Sequence, residues 1–400
     1  YVQHLLGIGH LARASRIAQA MAAQGMAVTM VTGGLPVPGF PAPGIANLTL
    51  PPILAAEGFS GLVDQHGQPI DDAFRARRRE ALLAAFDQLA ADALLIEAFP
   101  FGRRQVRFEL LPLLDAAHAR PSRPLILSSV RDILQANRKP GRDEETVATL
   151  DRFDAVLVHG DPTFARIEES FPLAAQIMGK VRYTGLVAPP APLPAPDRHD
   201  IVVSAGGGAV GAQLIRCAIA ARDLLPGDLD WCVLTGPNLP QPEYDTIAAM
   251  AGPRLTVERF RKDLAGLMAS ARVSVSQAGY NTVCDMLVAG CQSVLVPYAS
   301  GGETEQSLRA EKLAALGLAS NLPEDGLTPK AMATAIRAAL ARSGQPRPAL
   351  RIAQSKHGLR WTAAKQSSPA ASIGPCRLPP CATQALNSSC AVAVFGSDMP

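Results

Sequence analysis

Apolar positions in the first half of the chain alternate between two periods. After the turn Gly7-Ile8-Gly9, residues Leu11, Ala14, Ile17, Ala18 and Met21 recur at helical spacing and predict a helix running to about Gln24. Short apolar runs predict strands at Ala27–Val31, Leu94–Glu97, Leu125–Ser129 and Ala155–His159, each following a helical stretch. Strands separated by helices imply a parallel sheet. The stretch Pro36–Gln68 is rich in Pro and Gly and reads mostly as loop.

Five prolines (Pro189, Pro190, Pro192, Pro194 and Pro196) fall between Val187 and Asp200, the pattern of a semi-rigid linker. Beyond them the alternation restarts, with strands predicted at Ile201–Ser204, Trp231–Leu234, Leu255–Glu258, Val273–Ser276 and Val294–Val296. The expected fold is therefore α/β. Two doubly wound, Rossmann-like domains, residues 1–187 and 201–343, are joined by a linker at 188–200. In such sheets ligands sit at the carboxyl ends of the strands. Residues 344–400 lose the helical period and are expected to be disordered or loosely attached.

Length and composition agree with this division. Four hundred residues suit two domains, and 48% hydrophobic residues is ordinary for a globular protein. No apolar run reaches the roughly 20 residues that span a bilayer. The chain opens on Tyr1 without a basic-then-apolar leader, and the expectation is a cytoplasmic protein, at most peripheral to the inner face of the membrane. The net charge of +3 comes from the end of the chain: from Pro346 onward six Lys/Arg stand against one Asp, a net of +5, which leaves about −2 on the body. That gives no reason to expect nucleic acid, but leaves room for a local basic patch facing phosphates or a membrane surface. Seven Cys are scattered without metal spacing, and Cys217, Cys232, Cys284 and Cys291 read as buried structural thiols.

The strongest local signal is Ser204-Ala-Gly-Gly-Gly-Ala-Val-Gly211, directly between a strand and a helix. Glycines there let the backbone approach a diphosphate, and the N–H groups of a helix start favour an anion. The simpler alternative is a tight strand–helix connection, which three successive glycines disfavour. Next comes Ser276-Gln-Ala-Gly-Tyr-Asn-Thr-Val-Cys-Asp285, where a strand ends, Gly279 turns and a helix carries an acidic group. Asp285 is either an acceptor for a ribose diol or a solvated helix carboxylate. After Pro297, the loop Gly301-Gly-Glu-Thr-Glu-Gln306 would lie beside the previous one, with polar tips for sugar hydroxyls.

In combination these motifs become specific. A Gly-rich loop, A-G-x-N-T-V-x-D, a V-P strand end and E-Q-x-x-x-A-x-x-L-x-x-x-G, over roughly residues 201–320, resemble the C-terminal domain of family-28 glycosyltransferases. This is the group of the MurG-like enzymes, which add N-acetylglucosamine to a lipid-linked precursor. The resemblance implies the GT-B architecture, two Rossmann-like domains facing a cleft. It also implies a UDP-sugar as donor substrate, with no further cofactor and no metal. On this pattern the donor site comprises Ser204, Gly206, Gly207, Gly208, Gly279, Asn281, Thr282, Asp285, Glu305 and Gln306. Asp285 stands where a Glu is more usual, and Arg309 where many members carry Asn.

The segment His4-Leu-Leu-Gly-Ile-Gly-His10-Leu-Ala-Arg13 also resembles the family, whose members carry a Gly-rich turn ending in His. His10 at a helix start is kept neutral and available as a base for an acceptor hydroxyl; the alternative is a His that caps or packs the helix. Gly7, Gly9, Arg13 and Arg103 are candidates for acceptor or phosphate contact, and Glu97 for a second acid/base group. Arg103 and Arg104 follow it on a helix start. Asp228-Leu-Asp230 imitates a metal-binding D-x-D but precedes a strand instead of ending one.

The expected activity is transfer of a hexose or N-acetylhexosamine from a UDP-sugar to an acceptor, lipid-linked or small. Gly7-Ile-Gly-His10-Leu-Ala-Arg13 also matches the G-x-G-H-x-x-R of related nucleotide-sugar hydrolases, where the His activates water. A 2-epimerase and a non-catalytic nucleotide-sugar-binding protein are the remaining alternatives. A membrane-facing surface, if present, would involve Phe99, Phe101, Phe108 and neighbouring Arg residues.

Overall fold

A computed structural model describes residues 1–5, 7–56, 61–137, 139–207, 211–345, 349–350 and 352. The first helix, α1 (Gly9–Ala22), buries Leu11, Ile17 and Ala18, part of the face that the spacing predicts. Strand β1 (Thr29–Thr32) pairs in parallel with β2 (Ala46–Thr49). A small antiparallel pair, β3 (Leu54–Ala55) and β4 (Leu62–Val63), follows. The stretch expected to be loop thus holds three short strands. They are hard to read because β2 is largely exposed and its one partner is β1.

Helix α2 (Asp72–Leu89) is capped by Asp71, whose carboxylate accepts the Phe74 N–H at 2.7 Å. Then come β5 (Ala93–Glu97), α3 (Arg107–Ala119), β6 (Leu125–Arg131), α4 (Arg142–Leu150), β7 (Ala155–His159) and β8 (Val181–Tyr183). Strands β5-β6-β7-β8 form a parallel sheet in that order. Residues 1–3 connect it to β1: Val2 donates to Val31 O at 2.9 Å, and Glu97 N–H to Tyr1 O at 3.0 Å. Leu110, Leu114, Ile126 and Val156 are wholly buried between this sheet and its helices.

The second half contains β9 (Ile201–Ser204), α5 (Ala212–Ala221), β10 (Trp231–Leu234), α6 (Gln241–Ala248), β11 (Leu255–Glu258), α7 (Leu264–Ser270) and β12 (Val273–Ser276). It continues with α8 (Tyr280–Ala289), β13 (Gln292–Leu295), α9 (Glu305–Ala315), β14 (Ser320–Asn321) and α10 (Pro329–Ala341). Its six parallel strands run in the order β11-β10-β9-β12-β13-β14. The chain winds outward from β9 in one direction and then from β12 in the other. The topological switch therefore lies between β9 and β12, where ligands of doubly wound sheets bind. Ser204 and Ser276 are register partners at the carboxyl ends of those two strands.

The Pro-rich linker packs against the second half. Ala195 N–H donates to Gly266 O, Ser270 donates to Ala195 O, both at 3.0 Å, and Arg261 holds Asp197. Little of the stretch after 344, expected to be disordered or loosely attached, is described. Ile352 bridges to Leu186, and Leu350 packs beside Tyr280 and Cys284 at the junction of the halves. Most of residues 346–400 lie outside the described residues. Cys217, Cys232, Cys284 and Cys291 are buried, as expected.

Candidate functional site

Glu97 ends β5 with its side chain 3% exposed. Its Oε1 accepts the His10 Nδ1–H at 3.0 Å and is bound by the Arg13 guanidinium; its Oε2 accepts the Ser129 hydroxyl at 2.5 Å. Arg13 Nη2 also lies 3.3 Å from this nitrogen, but Arg13 gives its proton to Glu97 at closer range; the Glu97 carboxylate can only accept, so the neutral His10 ring carries its proton on Nδ1 and keeps a lone pair on Nε2. Burial, and then the charge of Arg103, hold His10 down at about 3. Its place in the first turn of α1 is as expected, but burial rather than the helix end is the larger cause of its neutrality. For Glu97, burial pushes the carboxyl upward; Arg13, His10 and Ser129 outweigh it and hold the group well below the usual carboxylate range.

His10, its side chain 21% exposed, lines a cavity of about 510 Å³. Arg103, Arg131, Lys139 and Arg142 line it from the first half, and Gly301 and Glu303 from the second. Arg103 takes a left-handed backbone (φ +60°) and donates Nε–H to Gln3 O at 2.7 Å. Lys139 and Arg142 have no ion-pair partner among the described residues. Arg13 also borders the cavity, but it is buried between Glu97 and the Tyr280 ring, 5.1 Å from its centroid. That makes it a brace for Glu97. Arg104 turns away to Glu145, Thr146 and the Arg142 carbonyl.

On the opposite side, the loop after β9 turns back onto itself. Gly206 (φ +70°) donates to Ser204 Oγ at 3.3 Å, and Gly207 O accepts from Asn238 Nδ2 at 2.5 Å. Gly208 lies outside the described residues. Gly279 is the N-cap of α8, with Asn281 and Thr282 in its first turn. Asn281 Nδ2 donates to Gly9 O at 3.0 Å, joining this helix to the N-terminal glycine turn, whose Gly7 is exposed. Asp285 meets Arg16 of α1 at 3.1 Å; burial pushes its carboxyl up to about 6, against the pull of Arg16. Gln306 Oε1 accepts the Tyr298 N–H at 3.2 Å. Glu305 is buried and held by Arg131 and by Arg309 at 2.7 Å.

The structure gives Arg309 a different place from the one its motif implied, and adds Asp132, His159, Arg16 and the Tyr280 hydroxyl, which the sequence did not single out. Arg309 is wholly buried and donates Nε and Nη2 to Asp132 at 3.0 and 2.6 Å, and Nη1 to Ala278 O at 2.9 Å. Tyr280 O–H donates to His159 O at 2.9 Å and accepts the Val187 N–H at 2.8 Å. Asp132, His159 and Arg16 therefore bind the halves together or support the site. The available signal was a run of polar residues at strand ends, Ser128-Ser129-Val130-Arg131-Asp132 and His159-Gly160-Asp161. Asp228 and Asp230 lie at the amino end of β10, away from the cleft, where Arg254 binds both. Phe99 is buried and Phe101 packs edge-on against Phe171 with centroids 5.2 Å apart, so these phenylalanines do not form an exposed apolar face.

Two α/β halves, each with a parallel sheet, meet across a cleft lined by loops from the carboxyl ends of their strands. This is the GT-B architecture. Solved structures agree in fold: Acinetobacter baumannii MurG superposes with a TM-score of 0.54 at 17% identity, covering 89% of this chain and 96% of that one. CalG4, the calicheamicin glycosyltransferase, gives 0.55 at 18% identity, covering 84% and 88%. Residues 202–360 match the profile of the glycosyltransferase family 28 C-terminal domain.

Three relatives carry the same descriptive name, UDP-N-acetylglucosamine--N-acetylmuramyl-(pentapeptide) pyrophosphoryl-undecaprenol N-acetylglucosamine transferase. The protein from Xanthomonas axonopodis pv. citri (strain 306) is 29% identical over 328 residues, 78% of this chain and 73% of its own length. Those from Rhodospirillum centenum (strain ATCC 51521 / SW) and Agrobacterium fabrum (strain C58 / ATCC 33970) are 32% and 31% identical over 40% and 34% of this chain. The chain spans only 42% and 37% of the length of these two.

Proposed function

We propose that this protein transfers a sugar from a UDP-linked donor to a hydroxyl of a phosphate-bearing, lipid-linked acceptor. The observation that carries the reading is the His10–Glu97 pair, 3.0 Å apart, at the edge of a basic cavity bounded by both halves. His10 Nε2 takes the acceptor hydroxyl's proton as that oxygen bonds to the anomeric carbon. The bond from that carbon to the diphosphate breaks, and UDP leaves with the electron pair. Glu97 stabilises the imidazolium that forms. The turn Ser204–Gly207 and the start of α8 offer N–H groups for the diphosphate, and Asp285 an acceptor for the ribose diol.

The acceptor class is supported by charge and by kinship. Arg103, Lys139 and Arg142 suit an anion, and the relatives' name specifies a pyrophosphoryl-undecaprenol substrate. A hydrolase needs room only for water, so a cavity of about 510 Å³ favours an acceptor.

The test is in two parts. UDP, UDP-glucose and UDP-N-acetylglucosamine are titrated in thermal-shift assays; selective stabilisation lost in Asp285→Ala is expected, and no shift with any nucleotide overturns the donor site. Transfer is then measured onto a short-chain prenyl-diphosphate-linked sugar and its dephosphorylated counterpart. Lys139→Ala with Arg142→Ala should raise the KM for the diphosphate compound about tenfold and leave UDP affinity alone. Equal use of both acceptors rejects the anionic acceptor.

A further inference from the structure

Behind Glu97 lies a second buried histidine that the proposed chemistry does not use. His159 ends β7 and is 1% exposed. Its Nε2 is 2.8 Å from Ser129 Oγ, and its Nδ1 is 2.8 Å from Thr184 Oγ1. Glu97 and Ser129 are register partners on β5 and β6, while His159 pairs with Arg131, two residues beyond Ser129. All three side chains therefore project from one face at the carboxyl edge of the sheet.

Burial keeps the His159 ring neutral, and the Thr184 hydroxyl lies closer to His159 Nδ1, at 2.8 Å, than to Gly185 O, at 3.1 Å; the proton positions then follow from donor and acceptor capacity. Ser129 gives its single proton to Glu97 Oε2, so its oxygen must accept from His159 Nε2–H. The neutral ring then has an unprotonated Nδ1, which accepts the Thr184 hydroxyl proton. Every donor in the series Thr184, His159, Ser129 points toward Glu97, and Glu97 in turn orients the Nδ1–H of His10. We propose that His159, acting through Ser129, is a positioning residue that fixes the Glu97 carboxylate and thereby keeps the His10 lone pair on the nitrogen facing the cavity. Neither His159 nor Ser129 touches the cavity, so neither is a catalytic residue.

The proposal rests on His10 being the base, and its test has a readout independent of turnover. Imidazole nitrogen NMR of the full chain labelled with ¹⁵N-histidine reports which His10 nitrogen bears the proton. The Nδ1–H form is expected in the wild type, and a mixture of both tautomers in Ser129→Ala and His159→Phe. His159→Gln, which restores an N–H at the Nε2 position, should return the Nδ1–H form. Unchanged His10 signals in Ser129→Ala overturn the proposal, and that small truncation decides the matter should His159→Phe not fold. In the transfer assay, Ser129→Ala should cost roughly tenfold in kcat with unchanged UDP affinity, and nothing further in a Glu97→Gln background. An equal loss in that background overturns the coupling through Glu97. Loss of transfer in every protein, with the tautomer shift intact, would instead count against the transferase reading.

Discussion

His10 and Asp285 divide the pH behaviour of the site between them. Held at about 3, His10 is neutral throughout the working range, so it produces no acid limb near its ordinary value. His10→Ala should lower kcat by about 10²–10⁴ and leave the UDP thermal shift intact. Asp285 behaves differently, because its folded carboxyl, at about 6, lies above the ordinary value of 3.8. Between those values the native state holds a proton that the unfolded chain has released. The stability this contributes is complete below about pH 4 and is lost as pH rises through about 6. Asp285→Asn should therefore gain melting temperature relative to wild type between about pH 4 and about pH 7. Donor affinity runs the other way, because a ribose diol donates to the ionised carboxylate. UDP binding should weaken as pH falls through about 6 in the wild type, and be weak and flat with pH in Asp285→Asn.

The element that most constrains the donor site is the turn between β9 and α5. Gly211 sits at φ +147°, where side chains are rarely accommodated, and a Cβ there would lie 2.5 Å from the Ala205 Cβ. Gly211→Ala must shift the turn, and should weaken UDP binding at least about tenfold while costing on the order of 1–3 kcal/mol of stability by urea denaturation. The strands around this turn were legible in the sequence. Ile201–Ser204, Trp231–Leu234 and Val273–Ser276 form as expected, because parallel strands buried on both faces leave few polar positions, and the edge strand Leu255–Glu258 also forms where it was expected. The largely exposed β2 carries no such signature, so its Pro- and Gly-rich surroundings read as loop.

At the scale of the molecule, closure of the cleft rests on buried charge. Arg309 and Asp132 come from opposite halves, and both are wholly excluded from solvent. Removing Arg309 strands Asp132, and removing Asp132 leaves Arg309 with Glu305 as its one carboxylate among the described residues, so Arg309→Leu and Asp132→Leu should each cost up to ~3–5 kcal/mol, while the double variant recovers part of the loss. Urea denaturation of the four proteins of the cycle measures this; additive losses would show that the pair does not couple the halves. Burial also shields the pair from salt, so the coupling should persist at about 0.5 M NaCl.

Period and spacing were enough to specify what is local: the parallel α/β halves, the Pro-rich stretch between them, and a glycine turn after β9 ahead of a helix. Family motifs in the right order then pointed to a nucleotide-sugar site. Which groups meet across the cleft is not a local property. Arg309 read as a departure near the donor sugar, yet it is sealed against Asp132, which lies 177 positions away. Arg13 read as a phosphate contact, yet it is a brace beneath Glu97. In both cases, burying a guanidinium requires a carboxylate at hydrogen-bond distance: for Arg309 the docking of the two halves supplies it, and for Arg13 the packing of α1 against the end of β5 within the first half.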